Sequence, residues 1–69
     1  MQSVIVSQRF NGQPVDIILC ELAAYEWAWE VFNWTNEWYA RNAPRRLCCS
    51  QETALLEAKA AIELELAKA

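Results

Sequence analysis

The sequence predicts an α+β domain in which a small antiparallel sheet of four strands packs against one long C-terminal helix (ββββα). Three observations lead to this fold: an Asn-Gly pair between two β-branched runs, a stretch that alternates aromatic and acidic residues, and an uninterrupted helical pattern after Ser50. The 69 residues are predicted to form a single globular domain, 1–69. A domain this small buries only about 60% of its unfolded surface, so its Trp, Tyr and Phe side chains must supply much of the core.

A β-hairpin is predicted near the start of the chain. An Asn-Gly pair at positions 11–12 separates two apolar runs, residues 4–10 and residues 15–20, both rich in Val and Ile. Asn and Gly tolerate the positive φ angles of a type I′ turn, whose twist matches that of the paired strands. Pro14 follows closely after the turn, where a missing backbone N–H costs little. We therefore expect a strand on each side of the turn.

Residues 22–42 are expected to add two further strands. Four large apolar residues alternate here with acidic or small residues; the four are Tyr25, Trp27, Trp29 and Val31. A period of two places these four side chains on the core face of a strand and leaves Glu26 and Glu30 in water. Residues 33–36 then form a turn, and residues 37–42 return as the fourth strand.

A helix over the same segment is the competing interpretation. Its polar residues would form one stripe, made of Glu26, Glu30, Asn33, Glu37 and Arg41. Such a helix would end before Pro44, and the fold would be a hairpin followed by two helices (ββαα). We favour the strands because Trp, Phe and Val are strand-favouring residues, and a helix would carry them around nearly its whole circumference.

The last third of the chain predicts an amphipathic helix. Ser50 is a suitable N-cap, Glu52 lies in the first turn where the helix dipole favours an anion, and residues 51–68 contain no Gly, Pro or Val. The side chains expected on the buried face are Leu55, Ala58, Ile62 and Leu66, with Ala54 and Ala61 beside them. The side chains expected to point into water are Glu57, Lys59 and Glu63.

The composition argues against catalysis and against nucleic-acid binding. The chain contains no His, and it lacks a nucleophile elbow, a glycine-rich phosphate loop and a spaced set of metal ligands. We therefore expect no enzyme activity, no cofactor and no metal site. Nine acidic residues against six basic ones give a net charge of -3, whereas nucleic-acid binding needs clustered Lys and Arg.

The cysteines and the hydropathy pattern suggest a cytoplasmic protein. Cys20, Cys48 and Cys49 are odd in number and lack the spacing of a disulfide framework, so they are predicted to be reduced. The alternative is a disulfide from Cys20 to one of the other two. No signal-peptide pattern precedes them. Acidic residues interrupt the apolar stretches well before the roughly 20 residues of a membrane span, so no membrane association is expected.

A protein-binding surface is predicted around the acidic and Trp residues of the middle segment. Glu26 and Glu30 share one side in both interpretations, and Asp16 on a neighbouring strand could join them. Like charges side by side destabilise a small domain, which favours a basic partner. Four Trp also exceed what so small a core encloses easily, and Trp is enriched at binding hot spots. The predicted site residues are Glu26, Glu30, Trp34, Glu37 and Trp38.

The run YEWAWEV at residues 25–31, followed by SQETALLEAK at residues 50–59, resembles the strand-then-helix ending of many small phage and prophage accessory proteins. Among these, the chain is similar to anti-CRISPR inhibitors in its size, its acidity and its cysteines. The resemblance implies a non-enzymatic inhibitor or adaptor that docks on a host protein with a basic surface. The alternative function is structural, as a homodimer formed through an edge strand or the Trp-bearing face.

Overall fold

A computed structural model describes residues 2–43 and 46–68, which form a four-stranded antiparallel sheet followed by one helix. The elements are β1 (Ser3–Phe10), β2 (Gln13–Ala23), β3 (Glu26–Asn33), β4 (Trp38–Arg41) and α1 (Gln51–Ala67). The strands lie in the order β1-β2-β3-β4, each antiparallel to the next. The ββββα prediction is confirmed. The two-helix alternative is wrong, because β3 and β4 occupy that segment; Pro44, its predicted boundary, lies outside the described residues.

Asn11 and Gly12 form the tight turn between β1 and β2. Their φ angles are 52° and 78°, both positive, as a type I′ turn requires. Phe10 pairs with Gln13 directly beside the turn, and the ladder between the two strands has no register shift. The predicted hairpin is confirmed, and both of its strands are longer than predicted.

The alternation of β3 is confirmed for Trp27, Trp29 and Val31, which are all buried in the core. Tyr25 was predicted on the same core face, and this prediction is wrong. It lies in the turn before β3 with a φ angle of 60°, and its side chain is 82% exposed. The physical reason is the length of β2, which continues to Ala23 and leaves Tyr25 in the chain reversal.

The core lies between the sheet and α1, which packs over the two central strands. Its fully buried members come from β2, β3 and α1 and include Val15, Ile17, Leu19, Val31, Ala54, Ala58 and Ile62. On α1, the fully buried side chains are Ala54, Ala58 and Ile62, whereas Leu55 and Leu66, which were predicted on the buried stripe, are only partly buried beside them. Since alanine is small, the bulk of the packed layer comes from the large side chains of the sheet.

The start of α1 is fixed by a cap and by a short backbone bridge. Ser50 is the N-cap, as predicted, and its Oγ accepts a hydrogen bond from the Thr53 N–H over 3.2 Å. Just before it, Cys48 and Trp27 exchange two backbone N–H···O bonds of 2.7 and 2.8 Å. The bridge ties the segment before α1 to the start of β3. In the described part of the chain, no helix is long and apolar enough to cross a membrane.

Glu57 was expected to point into water, and the structure corrects this. The Trp29 Nε1–H donates to Glu57 Oε1 over 3.3 Å, and the Arg46 guanidinium lies 3.9 Å from the other carboxylate oxygen. A buried indole N–H needs an acceptor, and the carboxylate supplies it from the helix. Glu57 therefore ties α1 to β3.

The three cysteines occupy different environments, and none forms a disulfide. Cys48 is buried in the core, whereas Cys49 is exposed. Cys20 is partly exposed on the sheet face that α1 does not cover. Burial raises the pKa of the Cys48 thiol, and the neighbouring Glu57 carboxylate raises it further.

Candidate functional site

The helix packs against one face of the sheet, and we call the other face the open face. Side chains alternate along each strand, so the register assigns the open-face residues to rows that run across the strands. The first row is Ser7, Asp16, Phe32 and Tyr39; the second is Ile5, Ile18, Glu30 and Arg41; the third is Ser3, Cys20 and Ala28. The open face therefore combines apolar and charged side chains.

Three aromatic side chains lie in contact on the open face, and we call Phe32, Trp34 and Tyr39 the aromatic cluster. The rings of Phe32 and Trp34 are stacked, with centroids 5.4 Å apart and planes at 10°. The rings of Phe32 and Tyr39 are 4.8 Å apart and tilted by 43°. Trp34 is nevertheless 60% exposed and Tyr39 42% exposed. The cluster is an ordered apolar surface in contact with solvent.

Asp16 fixes the position of Trp34 from the neighbouring strand. The Trp34 Nε1–H donates to Asp16 Oδ2 over 2.9 Å, and the Ser7 hydroxyl donates to Oδ1 over 2.8 Å. Both bonds favour the ionised carboxylate, and the bond from Trp34, followed by that from Ser7, lowers the pKa of Asp16. The exposed indole is thus held both by its ring face and by its N–H.

Glu30 has the corresponding role for Tyr39. The Tyr39 hydroxyl donates to Glu30 Oε1 over 3.0 Å. Desolvation raises the pKa of the Tyr39 phenol and the Glu30 carboxylate raises it further, so the phenol remains a donor at neutral pH. The carboxylates of Asp16 and Glu30 therefore border the aromatic cluster, one beside Trp34 and one beside Tyr39.

A buried amide holds the turn that presents Trp34. Asn33 is 2% exposed at the end of β3, and its Oδ1 accepts from the backbone N–H groups of Thr35 and Asn36 over 3.1 and 3.3 Å. Its Nδ2 donates to Gln13 Oε1 over 2.8 Å. A side-chain bond to the backbone two residues further on is an Asx turn. Asn33 thereby links this turn to the start of β2.

A shallow groove of about 270 Å³ adjoins the aromatic cluster on the open face. Its lining includes Ile18, Cys20, Leu22 and Ala28, together with Glu30 and Arg41. Glu30 belongs both to the groove and to the border of the cluster. A wider depression of about 580 Å³ lies at the start of α1, but it is lined by Ser50 and the first helical turn and has no aromatic side chain.

The structure brings three of the five predicted site residues to the open face. Trp34 belongs to the aromatic cluster and Glu30 borders it, while Glu26 is exposed at the start of β3 on the same face by alternation. Glu37 is exposed in the turn between β3 and β4, with a φ angle of 54°. Trp38 does not join them. It lies on the helix side of the sheet, because it is in register with an inward-facing position of β3, and it packs against the core.

Two members of the cluster, Phe32 and Tyr39, were not predicted as site residues, and Asp16 was expected only as a neighbouring charge. The sequence could have predicted Phe32, since the alternation of β3 places this aromatic residue on the polar face of the sheet. The alignment of Asp16, Phe32 and Tyr39 in one row depends on the lengths of the turns between the strands. This alignment becomes known only from the register of the paired strands.

The two carboxylates that border the aromatic cluster, Asp16 and Glu30, both accept hydrogen bonds from neighbouring side chains. Among residues 2–43 and 46–68, no group of three His, Cys, Asp or Glu side chains is placed to hold a metal ion. Ser7 donates to Asp16, but the lowered pKa of this carboxyl makes it a poor general base at neutral pH. The face offers an ordered aromatic surface bordered by two carboxylates.

No family model matches this chain, and neither a curated protein nor a solved structure is significantly similar to it.

Proposed function

We propose that this chain is a non-enzymatic protein-binding domain, an inhibitor or adaptor, that docks on a basic surface of a partner protein through its open face. The observation that carries the proposal is Trp34, which is 60% exposed and yet held by a ring stack and a hydrogen bond. The sequence resemblance favours one form of this function, a phage-encoded inhibitor of the anti-CRISPR type that acts on a host protein.

The order of Trp34 before binding lowers the cost of association. Immobilising a flexible side chain at an interface costs about 0.5–1.5 kcal/mol. In this chain, the stack on Phe32 and the bond to Asp16 restrict the indole in the free protein. Trp and Tyr are also the residues that most often act as binding hot spots. The aromatic cluster therefore supplies a preformed anchor.

The carboxylates beside the cluster favour a cationic partner group. An Arg guanidinium can stack on the face of Trp34 and donate to a carboxylate at the same time. Asp16 and Glu30 are placed for such bonds at either side of the cluster. The net charge of -3 on the whole chain adds a long-range attraction to a basic surface. We therefore expect the partner to present Arg or Lys to the cluster.

Affinity capture with three baits tests the proposal. Wild-type protein, Trp34→Ala and Leu64→Ala are immobilised and exposed to bacterial lysate; Leu64 is a matched control because it is 66% exposed on α1. We expect a basic protein to be retained by the wild type and by Leu64→Ala and to be lost with Trp34→Ala. Recovery of the same proteins with all three baits would contradict the proposal.

Charge reversal on the open face tests the electrostatic part. Glu30→Lys and Glu26→Lys should weaken binding to the captured protein, chiefly through a slower association rate and a shallower salt dependence. Glu63→Lys, an equal charge change on α1, should have a much smaller effect. The rates are measured by surface plasmon resonance at two salt concentrations. Equal effects of all three variants would show that net charge, and not the open face, governs association.

A further inference from the structure

The β1 strand is an edge of the sheet that is free to accept another strand. It lies at one end of the strand order, and in the described residues it pairs only with β2. It is eight residues long, has no register shift and contains neither Pro nor Lys, which protect natural edges; its one charged residue, Arg9, lies next to the end of the strand. The opposite edge, β4, has only four residues. A further strand therefore fits best along β1.

The hydrogen-bond ladder shows which β1 groups face outward. The Glu21 N–H donates to the Gln2 carbonyl over 2.8 Å. Bonded and non-bonded pairs alternate along an antiparallel ladder, so the even-numbered residues of β1 bond to β2. The N–H and C=O groups of Ser3, Ile5 and Ser7 therefore point away from the sheet. These groups form a regular row of donors and acceptors.

The sequence of this segment is the same in both directions. Residues 3–7 read SVIVS, a palindrome centred on Ile5. Two antiparallel copies centred on Ile5 place Ser opposite Ser, Val opposite Val and Ile opposite Ile. In the same alignment, Ser3 of one copy is opposite Ser7 of the other, and the two Ile5 residues are opposite each other. The outward-facing backbone N–H and C=O groups of the two strands can therefore bond to one another. A second copy of the chain satisfies the side-chain and the backbone requirements together.

We propose that two copies of this chain pair through β1, antiparallel and centred on Ile5, and form one continuous eight-stranded sheet. Ile5 is 66% exposed in the single chain and contacts its counterpart on the open face of the pair. On the helix side, Val4 of each copy lies opposite Val6 of the other. Cross-strand pairs of β-branched residues stabilise sheets, and the two Arg9 side chains do not meet, because each lies four positions from the centre of the pair, at opposite ends of the paired segment.

The pairing has a consequence for the open face. A two-fold axis perpendicular to the sheet keeps both helices on one side and both aromatic clusters on the other. The two clusters can then engage a partner that offers two basic sites, and linked binding events strengthen one another. The pairing itself does not depend on the proposed function, and its test needs no partner.

Sedimentation of the purified chain over a concentration series from roughly 1 μM to 1 mM, the range of weak associations, tests the pairing. We expect a monomer–dimer equilibrium that Ile5→Lys weakens roughly tenfold, because two cations replace a contact between two Ile side chains. Leu56→Lys is the matched control; it makes the same charge change at a residue that is 68% exposed on α1. A monomer throughout the series, or equal effects of the two variants, would overturn the proposal.

A second measurement tests the register. In a mixture of isotope-labelled and unlabelled chains, the pairing predicts a close contact between the Hα of Val4 in one copy and the Hα of Val6 in the other, since these residues form a non-hydrogen-bonded pair. Within one chain, the same two atoms are too far apart. A contact between Val6 and Val6 of the other copy would indicate another register and would overturn the palindrome as the basis of pairing.

Discussion

Replacing the buried Asn33 with Ala tests whether one amide holds both the β3–β4 turn and Trp34. The substitution removes the acceptor of the Thr35 and Asn36 N–H groups and the donor to Gln13. The two N–H groups belong to exposed residues and can bond to water, so each lost bond should cost about 0.5–1 kcal/mol. The partly buried Gln13 oxygen adds about 1 kcal/mol. The expected loss in the free energy of unfolding is about 2–3 kcal/mol.

That loss is large for a domain of this length, whose total stability is roughly 3.5–10 kcal/mol. Since 1 kcal/mol shifts the Tm of such a domain by about 4–8 °C, we expect Asn33→Ala to lower the Tm by roughly 10–20 °C. Urea and thermal unfolding followed by circular dichroism measure both quantities. Asn36→Ala is the control, because its exposed side chain donates to the same Gln13 oxygen over 3.2 Å. Equal losses in both variants, or a loss below about 0.5 kcal/mol for Asn33→Ala, would refute the role of Asn33.

Three further predictions concern the core, Asp16 and the thiols. Ile62→Ala should lower the free energy of unfolding by about 2–5 kcal/mol, because Ile62 is the bulkiest buried side chain of α1; a loss below about 1 kcal/mol in urea would contradict the docking of the helix. Trp34→Phe should raise the pKa of Asp16 in an NMR titration, since the ring remains and the N–H donor is lost. Because folding lowers the pKa of Asp16, its contribution to stability is present above about pH 3.9 and disappears as the pH falls through the folded-state pKa. An unchanged Asp16 pKa in Trp34→Phe would contradict the role of the hydrogen bond from Trp34. Cys49 should react with an alkylating reagent at once and Cys48 only on unfolding, and equal rates by mass spectrometry would contradict the burial of Cys48.

The elements with local signals could be predicted from the sequence. The Asn-Gly turn and the Ser50 cap each depend only on residues close together in the sequence, and both are found where expected. The strands β3 and β4 were harder to predict, because the polar residues of that segment also fit one stripe of a helix. Burial of Trp27 and Trp29 in the core between the sheet and α1 stabilises the strands, and this is a tertiary effect. Local pattern alone could only favour the strands.

The errors and omissions share a physical cause. Tyr25 and Glu57 were misplaced because the length of β2 and the need of a buried indole for an acceptor are set by tertiary structure. The open face could be predicted only in part for the same reason. Trp34 stands out as one of four Trp, whereas the position of Tyr39 beside Phe32 follows from the register of the sheet.

If the aromatic cluster is the docking surface, cationic groups should bind there and not simply wherever the chain is acidic. The helix offers the competing sites, because Glu52 and Glu63 are exposed on α1. The most direct measurement is an NMR titration of the isotope-labelled chain with a short arginine-rich peptide. We predict that the largest shifts occur at the Trp34 indole and at Phe32 and Tyr39, and that Trp34→Ala strongly weakens the binding of the peptide. Shifts concentrated on α1, or equal binding by Trp34→Ala, would contradict the assignment of the open face as the binding surface.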